Sequence, residues 1–433
     1  MTTLRLAALP ALVYAIAFAT PATVPAAGEF PNVPGRANAT PSIAAAGSIV
    51  AVAWGASAGG KADVFVAVSR DGGTTFGSAV RVNTVPGEAR LNGEMPPRVA
   101  LGSSNGSSLP EIVVLWTARG AATEIKAARS RNGGRTFEKA VSLQAPGSAG
   151  DRGWPSLALD RSGDLHAIWL DHRGLAAARA AGGGASGHKP GAPHDGVAMA
   201  QSSSLYHASL NGSSATEREV TKGVCYCCKT ALAAGADGTL FAAWRHVYPG
   251  SFRDMAFAAS RDRGRSFSAP VRVSEDGWAI DACPDDGPAM AVDASGTVHL
   301  AWPTVIDGDN PRGAIFYATW RDRRDSRDGQ RFTKRQQVGT LGGPKPSHPQ
   351  IVVDGSRRVF VAWDELANGR QTAALREVRV DAAGAPTFGR IVTLSSGEPG
   401  IYPALAATGN RVLAAWATGG DRSKVQVRAV PLP

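Results

Sequence analysis

The sequence predicts an all-β fold, a β-propeller built of four-stranded blades, and three observations support this. A Pro-x-aliphatic-Ala/Val motif recurs along the chain, a tryptophan follows each copy after a short apolar run, and glycine is abundant. Of the 433 residues, 51 are Gly and 28 are Pro, with no triplet period, which is typical of many short strands joined by tight turns. Apolar residues make up 43% of the chain, a fraction that excludes a disordered protein.

Seven copies of the motif are present, six beginning with proline and one with Thr230. The tryptophans that follow them are Trp54, Trp116, Trp169, Trp244, Trp302, Trp363 and Trp416. Each repeat predicts four strands, because short β-branched and apolar runs alternate with Gly/Asp turns. Four-stranded units repeated radially form a propeller, whose sheet edges are short and protected. We expect seven blades; six blades with an appended segment is the alternative.

The two ends of the chain complete this prediction. The last repeat stops after three strands, so we expect residues 28–38 to supply a fourth strand and close the ring. Residues 1–27 combine Arg5, an apolar stretch and a small-residue cleavage sequence, which is typical of a secretory signal. The sequence therefore predicts one exported propeller domain over residues 28–433, periplasmic or secreted, with no membrane span.

Charge adds little to these predictions. Lys and Arg total 46 against 36 Asp and Glu, and the excess is spread along the chain rather than clustered. We expect no nucleic-acid partner, and the balance mildly favours a glycan or a small anionic ligand.

The predicted turn between the third and fourth strands carries a Ser-x-Asp/Asn-x-Gly-x-Thr/Ser-Phe signature in three repeats. Its residues are Ser69, Asp71, Gly73 and Phe76; Ser130, Asn132, Gly134 and Phe137; and Ser260, Asp262, Gly264 and Phe267. Asp accepts backbone N–H groups, Gly permits positive φ, and the aromatic ring packs between strands. These turns resemble the Asp-box, or BNR repeat, of the sialidase superfamily. The resemblance implies a sialidase-like propeller in which the boxes are structural and lie away from the ligand face.

Loops that precede the first strand and follow the second strand of each blade share one end of the channel. The polar and aromatic residues there that we select as ligand-binding candidates are Trp154, Asp171, Lys229, His246 and His348. Converging polar groups at a concave end favour a binding site. The sequence predicts binding of a glycan, an anionic ligand or a metal at this face.

The same resemblance implies a possible active site: a Tyr nucleophile paired with Glu, an Asp acid/base and three Arg that clamp a carboxylate. Tyr402 opens the last repeat at a position resembling that Tyr, with Glu365 or Glu94 as its partner. No repeat has Arg at the position of the first clamp residue, so the substitutes are loop arginines, Arg152, Arg245 and Arg253. A glycoside hydrolase of exo-sialidase type is therefore an alternative function.

The four cysteines are concentrated in two neighbouring loops, with Cys225, Cys227 and Cys228 in one and Cys283 in the next. Adjacent blades would bring these loops together at the ligand face. In an exported protein, two disulfides are the ordinary expectation. The alternative is a thiolate site for copper or zinc, which would make the chain a periplasmic metal-binding protein.

Overall fold

Seven antiparallel sheets, each made of strands consecutive in sequence, form the propeller. The computed structural model describes residues 29–102, 109–180, 196–212, 214–280, 282, 284–306, 311–321, 332–381 and 385–431. Cys283 and the predicted signal lie outside these residues.

The first three blades follow one another along the chain. Blade 1 contains β1 (Ala37–Ala46), β2 (Ile49–Ala58), β3 (Lys61–Ser69) and β4 (Val80–Arg81). Blade 2 contains β5 (Arg98–Leu101), β6 (Ile112–Ala118), β7 (Glu124–Ser130) and β8 (Val141–Ser142). Blade 3 contains β9 (Arg152–Leu159), β10 (Leu165–Asp171), β11 (Ser204–Asn211) and β12 (Ser214–Lys222). Two short helices, α1 (Arg173–Ala180) and α2 (Gly196–Gln201), lie between β10 and β11.

The remaining four blades complete the ring. Blade 4 contains β13 (Ala231–Ala234), β14 (Leu240–Arg245), β15 (Met255–Ser260) and β16 (Val271–Arg272). Blade 5 contains β17 (Ala289–Val292), β18 (Val298–Ile306), β19 (Arg312–Trp320) and β20 (Gln336–Gln337). Blade 6 contains β21 (Ser347–Val353), β22 (Val359–Ala367), β23 (Arg370–Val380) and β24 (Pro386–Thr393). Blade 7 contains β25 (Ile401–Thr408), β26 (Arg411–Ala417) and β27 (Val425–Ala429).

The predicted seven-bladed propeller is confirmed, and the six-bladed alternative is wrong. Blade 7 contacts blade 1 directly, since β25 packs against β1. One hydrophobic cluster joins Trp54 of blade 1 to Leu413 and Val427 of blade 7. Among the described residues no helix is long and apolar enough to cross a bilayer.

The N-terminal segment closes blade 7 in a way that differs from the expected fourth strand. The last sheet has three strands, and one side chain bonds to its free edge. Asn32 Oδ1 accepts the backbone N–H of Val425 at 2.7 Å, and Asn32 Nδ2 donates to the Val425 carbonyl at 3.0 Å. Phe30 packs edge-on against Trp54, with ring centroids 4.9 Å apart. A single amide thus pairs the two backbone groups that a neighbouring strand would have paired.

The repeated tryptophans form the core between blades. All seven are essentially inaccessible to solvent, and each lies on the second strand of its blade. Burial of so large a side chain is a major stabilising contribution. The repeat in the sequence is therefore the repeat of the blade core.

The signature turns have the hydrogen bonds that their residues predict. Asp71 Oδ1 accepts the backbone N–H of Thr75 at 2.9 Å, and Ser69 Oγ accepts the N–H of Gly73 at 2.8 Å. Gly73 has φ of +87°, which residues with a Cβ rarely adopt. Because the strands are antiparallel, these turns lie at the end of the sheets opposite the start of each first strand.

Candidate functional site at the channel mouth

A β-bulge shapes the start of the first strand in four blades. In blade 6, Ser347 pairs with Asp364 and Gln350 pairs with Ala362, so two residues, His348 and Pro349, lie opposite one, Trp363. Blades 1, 3 and 7 have register shifts at the equivalent place. Proline is tolerated at a bulge because it lacks the N–H that a regular ladder needs. The Pro motif and the tryptophan of the sequence repeat therefore lie opposite each other on paired strands, at the same bulge.

The bulge places a non-glycine residue in the left-handed region immediately before each proline. The four residues are Thr40, Trp154, His348 and Tyr402, with φ between 52° and 55°. Such backbone conformations cost free energy and are concentrated at functional sites. They change the direction of the strand at the channel mouth, where His348 and Tyr402 of adjacent blades meet with ring centroids 4.6 Å apart.

A loop between blades 1 and 2 crosses toward the channel axis and carries Glu94. Its Gly93 lies so close to Tyr402 of blade 7 that a Cβ there would be 2.0 Å from Cε1 of the tyrosine. Glu94 bonds to Lys229 of blade 4: Oε2 accepts the backbone N–H at 3.0 Å, and Oε1 lies 3.3 Å from Nζ. Residues from two separate blades, 4 and 7, therefore converge on this loop.

Asp286 and Asp364 complete a charged floor beneath the loop. Asp286 Oδ1 accepts the backbone N–H of His348 at 3.2 Å, and His348 Nδ1 lies 2.9 Å from Asp364 Oδ2. Glu94, Lys229, Asp286 and Asp364 are each 3% exposed or less. Asp286 Oδ2 is buried and has no hydrogen-bond partner among the described residues. A buried carboxylate oxygen without a partner is costly, so a ligand hydroxyl that reached this oxygen would stabilise it.

The two acidic groups at the centre have pKa values displaced in opposite directions. Burial would raise the pKa of Glu94, but the positive charges of Lys229 and His348 outweigh it and hold that pKa below its usual range. Burial and the charge of Glu94 raise the pKa of Asp286 to about 6. At a pH between the two pKa values, one carboxyl group of the pair is protonated and can donate a proton, and the other is charged and can accept one.

The rim above this floor is more accessible and partly aromatic. Trp154, His348 and Tyr402 are half-buried, and Asp285 is exposed. Burial, followed by the negative charge of Asp364, raises the pKa of Tyr402, so its hydroxyl stays protonated. Below the floor, a cavity of about 80 Å³ continues into the channel, lined by Arg98, Ser156 and Gln350 among others.

The predicted arginine substitutes do not form a carboxylate clamp. Arg245 donates to the carbonyl oxygens of Asp286, Arg253 and Pro303. Arg152 donates to four backbone carbonyls and forms an ion pair with Asp171, Nε to Oδ2 at 3.0 Å. Both guanidinium groups thus hold loops in place.

Three other sequence candidates also have their polar atoms engaged away from the cluster. Glu365 accepts the indole N–H of Trp363 at 2.7 Å and the backbone N–H groups of Leu341 and Gly343. Asp171 accepts from Trp169 and Arg173. His246 Nδ1 lies 3.3 Å from Trp244 Nε1, and burial lowers its pKa to about 4. Of the two glutamates proposed for Tyr402, Glu94 is the one in its neighbourhood.

The cysteine loop lies beside this cluster, since Cys228 directly precedes Lys229. The sulfurs of Cys225 and Cys228 are 3.6 Å apart, and each is 4.0 Å from that of Cys227. Cys225 and Cys228 are free, buried thiols, whereas the sulfur of Cys227 is bonded elsewhere. The expectation of two disulfides is wrong, because Cys225 and Cys228 are both free. The predicted clustering of all four cysteines stays a prediction, since Cys283 lies outside the described residues.

The environment of the thiol pair is asymmetric. A hydrogen bond from Cys228 and the positive charges of Arg253 and Arg245 lower the pKa of Cys225 to about 7, against the effect of burial. Burial and the interaction with Cys225 raise the pKa of Cys228. Cys225 is therefore the thiol that ionises first.

Sequence reasoning identified Tyr402, Lys229 and His348 but did not select Asp286 and Asp364. Both stand at the repeat positions from which the ligand face was chosen, two residues before the motif and one after the tryptophan. Their positions in the repeat could therefore have identified both residues. The polar composition of these loops predicts exposed side chains, whereas the structure buries both carboxyl groups.

No family model matches the chain, and no curated protein matches it. Among solved structures the chain is similar to NanB sialidase (K499G mutant) from Streptococcus pneumoniae, at 10% identity and TM-score 0.49, over 87% of this chain and 82% of that one. It is similar to the GH93 alpha-L-arabinofuranosidase of Fusarium graminearum, at 14% identity and TM-score 0.49, over 79% and 93%. It is also similar to the Hadza microbial sialidase Hz136, at 13% identity and TM-score 0.47, over 89% and 74%. These similarities concern the fold, and the seven blades are consistent with the predicted sialidase-like propeller.

Proposed function

We propose that this protein binds a carbohydrate at the channel mouth and hydrolyses a glycosidic bond there. The observation that carries the proposal is the buried carboxyl pair, Glu94 and Asp286, with pKa values displaced in opposite directions. Glycoside hydrolysis needs one carboxylic acid to protonate the leaving oxygen and one carboxylate to act as base or nucleophile. Asp286 takes the first role and Glu94 the second.

The surrounding residues support a substrate rich in hydroxyl groups. Trp154 and Tyr402 offer half-buried aromatic faces with polar edges, which combine apolar contact with hydrogen bonding. Asp286 Oδ2 supplies a buried polar atom without a partner among the described residues. These groups are the usual components of a small-ligand site, an apolar wall with a few fixed polar atoms.

The charges favour a neutral sugar over a sialic acid or another anion. Lys229 is already paired with Glu94, and His348 with Asp364. Arg152 and Arg245 are engaged by backbone carbonyls. A substrate carboxylate bound by any of these four groups would have to displace one of these bonds, whereas a neutral hydroxyl can donate to Asp286. We therefore propose a neutral glycan in place of the sialoside that the exo-sialidase alternative would require.

Export is part of the same proposal. Residues 1–27 have the composition of a secretory signal, and an extracellular or periplasmic location suits an enzyme that acts on glycans outside the cytoplasm. Detection of the mature N-terminus in a periplasmic or culture fraction would test it.

A panel of chromogenic glycosides, neutral and anionic, tests the activity. Wild-type protein should release the chromophore from at least one neutral glycoside, and Asp286→Asn and Glu94→Gln should each lower kcat/KM by about 100-fold or more. Asp421→Asn, at an exposed acid in a turn, is the matched control and should leave the rate unchanged. Hydrolysis of sialosides with loss of activity in Tyr402→Phe would instead favour the exo-sialidase alternative. No turnover on any glycoside, with no glycan binding by calorimetry, would exclude the proposal.

A further inference from the structure

We propose that Cys225 and Cys228 form a binding site for a soft metal ion, Cu(I), next to the carboxyl cluster. Both are free, buried thiols, and their sulfurs are 3.6 Å apart. An ion about 2.3 Å from each sulfur, the distance of zinc–thiolate sites, would subtend an S–metal–S angle of roughly 100°, a bent arrangement that leaves room for a third donor. One ion therefore fits between the two sulfurs without movement of the backbone.

The donors around this pair are soft. Among the described residues, the group of close metal-binding side chains contains three cysteines and no histidine or carboxylate. Met199 of α2, which carries a thioether, packs against the same cluster. Thiolate and thioether ligands select Cu(I), whereas Zn²⁺ sites are typically completed to four ligands, often by histidine or further thiolates. The site does not require Cys227, whose sulfur is bonded elsewhere.

Two arginines are placed to balance the charge of the bound ion. Binding replaces two S–H protons with one Cu(I), which releases two protons to solvent and leaves a bis-thiolate complex of charge −1. Arg253 Nη1 lies 3.6 Å from Cys225 Sγ, and Arg253 Nη2 is buried without a partner among the described residues. Arg245 adds a second positive charge near the same sulfur. An unsatisfied buried guanidinium nitrogen is costly unless an anion is present, and the thiolate complex supplies one.

Burial of the pair suits a metal held for a long time. Cys225 and Cys228 are each 1% exposed, and Trp154, Tyr226 and Val247 pack around them. An apolar shell excludes water and controls the chemistry of the bound metal. The same shell makes direct disulfide exchange with a large protein partner unfavourable.

Competition for Cu(I) against bicinchoninate, with the full-length mature chain kept anaerobic, tests the site. We expect one Cu(I) per chain, a loss of affinity of about 100-fold in Cys225→Ser and in Cys228→Ser, and about 10-fold in Met199→Leu. Ser78→Ala, at an exposed serine of blade 1, is the control and should retain wild-type affinity. X-ray absorption should show a sulfur-only first shell.

The serine variants could lose copper through misfolding, so their near-ultraviolet circular dichroism spectra must match that of the wild type. Met199→Leu provides a second test, because it leaves both thiols in place. Equal copper binding by wild type and the Cys225→Ser/Cys228→Ser double variant would overturn the proposal. So would a nitrogen-containing shell, tighter binding of Zn²⁺ than of Cu(I), or a native Cys225–Cys228 disulfide. Glu94→Gln and Asp286→Asn should keep copper, so that failure of the hydrolase and failure of the metal site are distinguishable.

Discussion

The imidazole Nδ1 of His348 lies 3.0 Å and 2.9 Å from the two carboxylate oxygens of Asp364. The same carboxylate accepts the backbone N–H of Tyr402 at 2.6 Å. One acid thereby fixes the two residues that adopt left-handed backbone conformations on adjacent blades. Burial opposes a charge on His348, but Asp364, Asp286 and Glu94 raise its pKa to about 9.

This pKa predicts how stability changes with pH. Because the pKa of His348 in the folded protein exceeds the unfolded value of about 6.5, its stabilisation is complete below pH 6.5 and is lost as the pH rises through about 9. The loss amounts to about 3 kcal/mol. Urea unfolding at pH 6 and pH 10 should show this decrease in the wild type and a much smaller one in His348→Gln. An unchanged pH dependence in that variant would show that His348 is not the responsible group.

The carboxyl pair predicts the pH dependence of hydrolysis. Asp286 must be protonated to act as an acid, and its pKa is raised to about 6, so kcat/KM should fall about 10-fold per pH unit above that value. The acidic limb reports Glu94, whose pKa lies below its usual range. Initial rates between pH 4 and pH 9 measure the alkaline limb, and the rate should stay high at the acidic end of this range because Glu94 remains charged there. The residual activity of Asp286→Asn should lack the alkaline limb; if that limb stays, another group is the acid.

Gly93→Ala should disturb the site without touching any charged group. The added methyl would lie 2.0 Å from Tyr402 Cε1, so the loop or the ring must move, at a cost of about 1–3 kcal/mol. We expect lower stability in thermal unfolding and a raised KM. In a Tyr402→Ala background the clash is absent, so Gly93→Ala should cause little further loss of stability. Gly47→Ala is the control, since its Cβ would have no neighbour within 4 Å. Because the φ of Gly47 is +57°, this variant measures the backbone strain of alanine at a turn without any steric clash.

Asn32→Ala should weaken ring closure. It removes both hydrogen bonds to the backbone of Val425 and leaves those groups unpaired, which costs about 1–3 kcal/mol. Proteolysis of the last blade should become faster, and the midpoint of urea unfolding should fall. Asn211→Ala, at an exposed residue with one long hydrogen bond of 3.4 Å, should change the stability by less than about 0.5 kcal/mol. Equal effects of the two substitutions would contradict the closure role of Asn32.

Much of the fold could be predicted from the sequence because the blade is a local unit. Trp169 and the Pro155 motif are 14 positions apart in one repeat, and their pairing at a bulge needs only the antiparallel hairpin that joins them. The closing segment was predicted in the right place but with the wrong hydrogen bonding. The side-chain amide of Asn32 makes the two hydrogen bonds that a strand backbone would make, and no strand-like sequence pattern is needed for this.

The sequence by itself determined the number of blades, the end of the propeller that carries the polar loops, and the proximity of Cys225, Cys227 and Cys228. Each of these depends on spacing within or between neighbouring repeats. Only the tertiary structure decided that Glu94, from the loop between blades 1 and 2, meets Lys229 of blade 4 and adjoins Tyr402 of blade 7. It also decided that the guanidinium groups of Arg152 and Arg245 are occupied by backbone carbonyls. The physical reason is that pKa values and hydrogen-bond partners depend on burial and on distances across the ring, between residues hundreds of positions apart, and no local pattern encodes them.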